Sequence, residues 1–197
     1  MEITVWYKPC IDKTDACTHI DLLSENKWSK IQMNIIQAMI SEADSRYAVG
    51  CPDLIENIDT LASLRDASIM FSPDMFAEFV LPALREQMAW ADNVIYHLDG
   101  PGAVCHLDHL LSIPELDCIQ WTPGAGAADT DDPVWFPMYR KILGSGKSLQ
   151  IFGVHVSKMK TLINECGGKG LFLGVREINT IMDQEYALSC AQPYRRT

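Results

Sequence analysis

Residues 94–101 have the sequence VIYHLDGP, and this stretch decides the fold class. Its first three residues predict a short buried strand that runs into the polar side chains of His97 and Asp99. A helix is predicted before the strand, because SPD at residues 72–74 supplies an N-cap, a proline at the first helical position and an acidic first turn. Pro82 predicts a kink or a break in that helix.

The same unit recurs three more times along the chain. Each repeat has a short apolar strand, a loop of small or polar residues and an amphipathic helix, which is βα repetition. The strands are predicted at residues 117–121, 148–153 and 170–175, and the helices at residues 135–143, 157–166 and 179–189. Successive βα units predict a parallel sheet. Because these strands read as continuous apolar runs, the sheet is expected to be covered on both faces.

The first 70 residues are less regular. Strands are predicted at residues 3–7 and 47–50, and helices at residues 28–43 and 58–64. No linker or repeat marks a boundary, and a chain of 197 residues is long enough to bury one sizeable core. A single domain over residues 1–197 is therefore predicted.

The charge balance excludes two classes of partner. The chain has 16 Lys and Arg residues and 26 Asp and Glu residues. The resulting net charge of −10 repels nucleic-acid phosphates and anionic membranes. Met1 is not followed by a signal-peptide pattern, and no stretch of about 18 apolar residues predicts a membrane span. The seven cysteines are odd in number and contain no C-x-x-C pair, which predicts a reducing, cytoplasmic location.

Three segments between residues 71 and 126 carry a resemblance to a known family. They are FSPDMFAEFVLP at 71–82, IYHLDGP at 95–101 and IQWTPGAG at 119–126. In order and spacing they resemble the uroporphyrinogen decarboxylase (URO-D) superfamily, nearest to its corrinoid-dependent methyltransferase-like members. Two earlier segments, RYAVGCPDLI at 46–55 and DTLASLR at 59–65, are similar to an earlier part of the same barrel.

The resemblance implies a (β/α)₈ TIM barrel, an α/β fold whose parallel sheet closes on itself. Such a barrel takes about 250 residues or more, whereas this chain has 197 residues and six predicted strands. We therefore expect a partial or shortened barrel. The resemblance leads us to expect a first portion of the barrel before Met1 and a further stretch between about Ser68 and Ile69. This sequence contains neither.

His97 and Asp99 are the candidate catalytic residues, because barrels place their reactive groups where strands end. Their two-residue spacing lets both side chains point the same way, where an imidazole nitrogen and a carboxylate oxygen could share one Zn²⁺ ion. Methyltransferases of the superfamily bind zinc with a His-x-Cys motif and a later cysteine. Here Asp99 takes the place of the thiolate and offers a harder oxygen ligand. The alternative is that the two side chains only hydrogen-bond each other or a loop backbone.

Five further residues are candidates for substrate binding. Gly124 and Gly126 follow a strand end, where small residues let a ligand approach the backbone. Trp121 could wall a pocket for a planar ligand or belong to the core, and His155 follows another strand end. Asp53 could orient a polar substrate group or cap a turn.

The resemblance leaves three functions open. The first is zinc-dependent methyl transfer between a corrinoid, supplied by a partner protein, and a thiol on a small molecule. The second is a decarboxylase-type carboxy-lyase; those relatives need neither metal nor cofactor but use an Arg-rich N-terminal motif that this sequence does not show. The third is a non-catalytic remnant. Because an incomplete barrel exposes sheet edges and apolar faces, it would form a homodimer or need a partner chain that completes the barrel.

Overall fold

The computed structural model describes residues 71–89 and 91–194, and five further positions, Lys30, Ile31, Asn34, Ala38 and Ser41. Those five are helical, and they fall within the helix predicted at residues 28–43. The other elements predicted before Phe71 lie outside the described residues. The chain divides into two compact units, Met1–Glu86 and Gln87–Thr197, and the single domain stays a prediction.

A run of helix begins at the predicted N-cap. Ser72 Oγ accepts a hydrogen bond from the Met75 backbone nitrogen at 3.2 Å, and a proline takes the first helical position. The run consists of α1 (Pro73–Met75), a π-helical segment (Phe76–Val80) and α2 (Leu81–Met88). Pro82 lies inside α2, where its ring and its missing N–H would disturb a regular helix. The π-helical segment before it is a wider turn that accommodates the proline, so the helix continues instead of breaking.

Four parallel strands form one sheet, as predicted. They are β1 (Ile95–Asp99), β2 (Cys118–Thr122), β3 (Ser148–His155) and β4 (Leu171–Arg176), in the order β1-β2-β3-β4. All four strands extend further than predicted at their carboxyl ends, by one residue in β2 and β4, by two in β3 and by three in β1. β1 includes His97 and Asp99, and β3 reaches His155. His97, Asp99 and His155, which were expected after the strands, therefore belong to the strands themselves.

Each strand is followed by helical structure. After β1 come a 3₁₀ turn (Pro101–His106) and α3 (Leu107–Leu111), and after β2 a 3₁₀ turn (Pro133–Trp135) and α4 (Phe136–Gly144). After β3 come a 3₁₀ turn (Val156–Lys158) and α5 (Met159–Cys166), and after β4 come α6 (Ile181–Ala191) and a 3₁₀ turn (Gln192–Tyr194). None of the described helices has the length and apolar character needed to cross a membrane.

Burial alternates along β1, β2 and most of β3, which corrects the expectation of a sheet covered on both faces. In β2, Ile119 and Trp121 are fully buried, whereas Cys118, Gln120 and Thr122 between and beside them are half-buried. The strands follow one another across the sheet in one direction, and right-handed connections then put all the helices on one side. The helix-covered face forms the core of the second unit, whose fully buried side chains include Leu110, Ile113, Leu116, Ile119, Trp121, Tyr139, Ile142, Leu149, Ile151 and Leu162.

The fold is α/β with a four-stranded parallel sheet, and this strand order is compatible with part of an α/β barrel. In such barrels, strands that follow one another in sequence are neighbours and the helices lie outside. A doubly wound sheet reverses its strand order at a switch point, whereas the order β1-β2-β3-β4 contains no reversal.

Replacing Ile119 by alanine should lower the free energy of unfolding by about 2–5 kcal/mol, because the missing atoms leave a cavity at a fully buried site. Urea unfolding followed by circular dichroism measures the change. Ile95→Ala is the matched control, since Ile95 lies on the neighbouring strand and is 53% exposed; it should cost less than about 1 kcal/mol. Equal losses in both variants would contradict a core on one face of the sheet.

Candidate functional site

The half-buried face of the sheet, opposite the core, carries the candidate residues His97, Asp99 and His155, and we call it the open face. The strand register aligns His97, Gln120, Gln150 and Phe172 in one row across all four strands. His97 and Asp99 lie on the same face, as their spacing predicted, because Leu98 between them is buried in the core. The strand residues of the open face are Ile95, His97, Asp99, Cys118, Gln120, Thr122, Ser148, Gln150, Phe152, His155, Phe172, Gly174 and Arg176.

His97 is hydrogen-bonded to its in-register neighbour on β2. The contact joins His97 Nδ1 and the amide oxygen of Gln120. The amide nitrogen of Gln120 donates to Thr122 Oγ1 at 3.0 Å and to the Trp121 carbonyl oxygen at 3.3 Å. The partner of His97 is therefore a glutamine that the sequence reasoning had missed, and not Asp99 or a loop backbone.

Asp99 lies where two loops meet at the carboxyl edge of the sheet. The Gly100 nitrogen donates to the Thr122 carbonyl oxygen at 2.9 Å, so the ladder between β1 and β2 continues one residue past Asp99. A Cβ atom added to Gly124 would lie 4.0 Å from Asp99 Oδ1, and Gly124 and Gly126 have φ angles of 77° and 81°, which favour glycine. The loop backbone at Gly124 thus approaches Asp99, whereas nothing lies within 4 Å of a Cβ added to Gly126.

Of the other three predicted binding residues, Trp121 and His155 lie apart from this pair. Trp121 belongs to the core: it is fully buried on the helix-covered face, and its ring meets that of Trp135 edge-on, with centroids 5.1 Å apart. His155 lies on β3, about 10 Å from β1 because neighbouring strands are about 4.8 Å apart. Its Nδ1 atom accepts a hydrogen bond from the Ser157 nitrogen at 3.2 Å and so caps the following turn. Asp53 lies outside the described residues.

A β-bulge turns His155 toward the open face. The register between β3 and β4 shifts between Phe152 and Val154, and the extra residue, Gly153, has a φ angle of 79°. Val154 is fully buried, so the next side chain, that of His155, projects on the opposite face. If Gly153 occupied a regular strand position instead of a bulge, strict alternation would direct Val154 to the open face and His155 into the core.

A second polar cluster lies at the carboxyl ends of β3 and β4, and the sequence reasoning had missed it too. Asp131, in the loop between β2 and α4, is buried with 1% exposure. Its carboxylate accepts hydrogen bonds from the His155 backbone nitrogen at 2.8 Å and from Lys158 Nζ at 2.7 Å. Arg176 lies 3.4 Å from Asp129 in an exposed pair. These contacts tie the loop that follows β2 to the ends of the next two strands.

The surroundings of Asp131 keep its carboxylate ionised. Burial alone would raise its pKa, but the hydrogen bonds from Lys158 and from the His155 backbone, with the charges of Lys158 and Arg176, outweigh burial and hold the pKa below its usual value. The hydrogen bond to Asp131 in turn raises the pKa of Lys158. The lowered pKa of Asp131 and the raised pKa of Lys158 each favour the charged form, so the pair stays charged at neutral pH as a structural contact.

Tyr139 anchors the same loop from the core. Its side chain is fully buried, and its hydroxyl donates to the Thr130 carbonyl oxygen at 2.6 Å. Burial is the largest cause of a raised pKa for Tyr139, and the neighbouring Cys166 and Asp131 raise it further. The hydroxyl therefore keeps its proton and continues to donate this hydrogen bond.

The described residues do not complete a zinc site. Structural and catalytic zinc sites use three or four protein ligands. His97 and Asp99 supply two donors on the open face, and Nδ1 of His97 is already hydrogen-bonded to Gln120. Among the residues that the structure describes, no group of three or more His, Cys, Asp or Glu side chains could hold a metal ion. A zinc ion at His97 and Asp99 would need a further ligand.

Replacing Asp131 by asparagine should lower the free energy of unfolding by about 1–3 kcal/mol, because Lys158 and the His155 nitrogen lose a charged acceptor. The loss stays below that of a fully buried ion pair, since the Lys158 side chain is 49% exposed. Chemical unfolding measures the loss. Asp129→Asn is the control, because the Asp129 side chain is 70% exposed and its pair with Arg176 contributes less than about 1 kcal/mol.

Asp131 also predicts how stability changes with pH. Its pKa is lower in the folded chain than in the unfolded chain, so the unfolded chain takes up a proton first as the pH falls. The stabilisation is complete above the unfolded pKa of about 3.9 and is lost as the pH falls through the lower folded value. Unfolding curves between about pH 5 and pH 2 should show a steeper loss in the wild type than in Asp131→Asn. Parallel losses would contradict the depressed pKa.

The resemblance to the URO-D superfamily rests on the segments at residues 71–82, 95–101 and 119–126. In the fold, the second segment covers β1 with His97 and Asp99, and the third covers most of β2 with the glycine loop after it. No protein-family model, curated protein or solved structure matches the chain.

Proposed function

We propose that the chain is a methyltransferase-like member of the URO-D superfamily, and that its sheet is part of a (β/α)₈ barrel with the open face inside. Three segments in the order of the family and a parallel sheet in sequential strand order support the proposal. In these barrels the helices lie outside, and the carboxyl ends of the strands carry the reactive groups. The burial of one sheet face and the polar character of the other agree with that arrangement.

The observation that carries the proposal is the placement of His97 and Asp99 side by side on the open face. A ring hydrogen-bonded to Gln120, a carboxylate and the nearby backbone of Gly124 provide contacts for a small polar molecule. We assign catalysis to His97 and Asp99, and substrate binding to the glycine loop. A substrate that also reached His155 would have to span at least about 10 Å, the separation of β1 and β3.

Zinc enters this proposal only with a further ligand, and a corrinoid only with a partner. The two donors on β1 are short of a zinc site among the described residues, so a zinc-dependent activity would take at least one further ligand, for example from a second copy or from another chain. A corrinoid would be supplied by a partner protein. The contribution of the described residues is to bind and orient a ligand on the open face.

A decarboxylase-type carboxy-lyase is the second candidate. The row of His97, Gln120 and Gln150 favours it, because these side chains bind a polar substrate through hydrogen bonds alone. Arg176, at the end of β4, could bind a substrate carboxylate in exchange for its present partners Asp129 and Glu177. Release of carbon dioxide from a polycarboxylate substrate would distinguish this candidate from methyl transfer.

A non-catalytic remnant that works through a partner chain is the third candidate. Phe152 and Phe172 are 49% and 56% exposed on the open face, and their rings pack edge to face with centroids 6.1 Å apart. An exposed aromatic pair favours a second copy or another chain that covers it. For all three candidates we propose a cytoplasmic location from the cysteine pattern, and the net charge disfavours nucleic acids and anionic membranes as partners.

Zinc binding separates the candidates. The wild type should take up one zinc ion per chain, or one per two chains if a second copy supplies the missing ligand. His97→Ala and Asp99→Ala should each weaken zinc binding by about 100-fold or more, because each removes a donor. Equilibrium dialysis with atomic absorption gives the stoichiometry, and light scattering gives the oligomeric state.

The matched controls for this experiment are Asp108→Ala and His109→Ala, which remove the same two types of side chain from α3. Both controls should bind zinc as the wild type does. A wild-type protein that binds no zinc as a monomer or as a dimer would contradict the methyltransferase-like proposal and leave the carboxy-lyase and the remnant.

A further inference from the structure

We infer that Gln120 is a positioning residue, which holds the neutral imidazole of His97 with its hydrogen on Nδ1 and leaves the lone pair on Nε2. The inference deepens the proposed function, since it concerns the residue to which catalysis is assigned. Its basis is the hydrogen-bond network of His97, Gln120, Trp121 and Thr122 on β1 and β2.

The orientation of the Gln120 amide follows from its hydrogen-bond partners on β2. One end of the amide lies 3.3 Å from the Trp121 carbonyl oxygen and 3.0 Å from Thr122 Oγ1. A carbonyl oxygen only accepts hydrogen bonds, so the atom facing it must be the NH₂ group, which donates. The other end of the amide, which faces His97, is therefore the oxygen.

The same contact determines which ring nitrogen of His97 carries the hydrogen. The amide oxygen of Gln120 contacts His97 Nδ1, and an amide oxygen only accepts. Nδ1 must then donate and carry the hydrogen. A neutral imidazole has one N–H group, so Nε2 carries the lone pair. The tautomer thus follows from the hydrogen-bond partners, which is how histidine tautomers are assigned when hydrogens are not observed.

The strand register makes this contact possible. His97 and Gln120 are paired residues of neighbouring parallel strands, which lie about 4.8 Å apart, and both side chains project on the open face. The amide is held at its other end by atoms of its own strand, which restrains its rotation. Gln120 can therefore orient His97.

The tautomer determines which nitrogen of His97 a ligand can use. The neutral imidazole of free histidine prefers its hydrogen on Nε2 in water, so the contact with Gln120 reverses the usual preference. The lone pair on Nε2 can accept a hydrogen bond from a substrate or bind a metal ion. A second side chain that fixes the tautomer of a functional histidine in this way supports metal affinity or activity without touching the ligand.

Nitrogen-15 NMR of the wild type, Gln120→Met and Gln120→Glu tests the inference directly. Methionine matches the length of glutamine but offers no amide oxygen, whereas glutamate keeps an oxygen acceptor. At about pH 8, above the usual histidine pKa of about 6.5, the wild type and Gln120→Glu should show the hydrogen of His97 on Nδ1. Gln120→Met should shift the population toward the hydrogen on Nε2. His97→Gln assigns the signal among the five histidines.

The outcomes are distinct for this inference and for the proposed function. A wild type with the hydrogen on Nε2, or a folded Gln120→Met variant with an unchanged tautomer, overturns the role of Gln120. Zinc titration of the same variants separates the two proposals: binding weakened about 10-fold in Gln120→Met and restored in Gln120→Glu supports both. A tautomer change in a protein that binds no zinc supports the role of Gln120 and contradicts the methyltransferase-like function.

If Gln120→Met fails to fold, Thr122→Val provides the second variant. It removes one of the two acceptors of the Gln120 amide nitrogen and keeps the β-branched shape of the side chain. A looser amide should give a mixture of His97 tautomers, whereas a single unchanged tautomer would contradict the inference.

Discussion

Ile119 and Trp121 are completely buried against the helices, and this burial of one sheet face sets the direction of the other side chains of β2. Because side chains alternate along a strand, Gln120 and Thr122 have to project on the opposite face. A slip of one residue would expose Trp121 and would bury the Gln120 amide at a cost of about 1–3 kcal/mol. The packing of apolar residues on the other face therefore sets the direction of the Gln120 side chain, and so allows its hydrogen bond with His97.

The loop between β2 and α4 connects the two polar regions of the second unit. At one end, Gly124 approaches Asp99, and at the other end, Asp131 is buried beside the end of β3. A buried carboxylate is costly unless its oxygens accept hydrogen bonds, and Asp131 meets this condition only where the His155 nitrogen and Lys158 can reach it. The electrostatic requirement of Asp131 therefore restrains a loop whose other end borders the candidate site.

Much of the fold could be predicted from the sequence, and less of the site. Apolar runs placed the start of each strand within one residue, but His97 and Asp99 were assigned to a loop because polar residues usually mark the end of a buried strand. The alternation of polar and apolar residues at 118–122 was a readable sign that the sheet is covered on one face. The sequence did not show that Asp131 is the buried aspartate, because Asp129 and Asp132 lie beside it in the same loop. Only the contact with the end of β3, seen in the structure, distinguishes Asp131 from the other two.

The chemistry of the open face depends more on the carboxylate of Asp99 than on the barrel-like strand order. A thiolate at this position would be a soft donor that favours zinc, whereas a carboxylate is a hard donor that also accepts hydrogen bonds from organic ligands. The nearest open-face side chains on β1 and β2 are those of His97, Gln120 and Thr122, and none of these three is a soft donor; the Cys118 thiol lies at the other end of β2, paired with Ile95. The change from sulfur to oxygen therefore matches its nearest surroundings. If zinc binds here, it needs a ligand in addition to His97 and Asp99, because the side chains next to Asp99 are suited to hydrogen bonding.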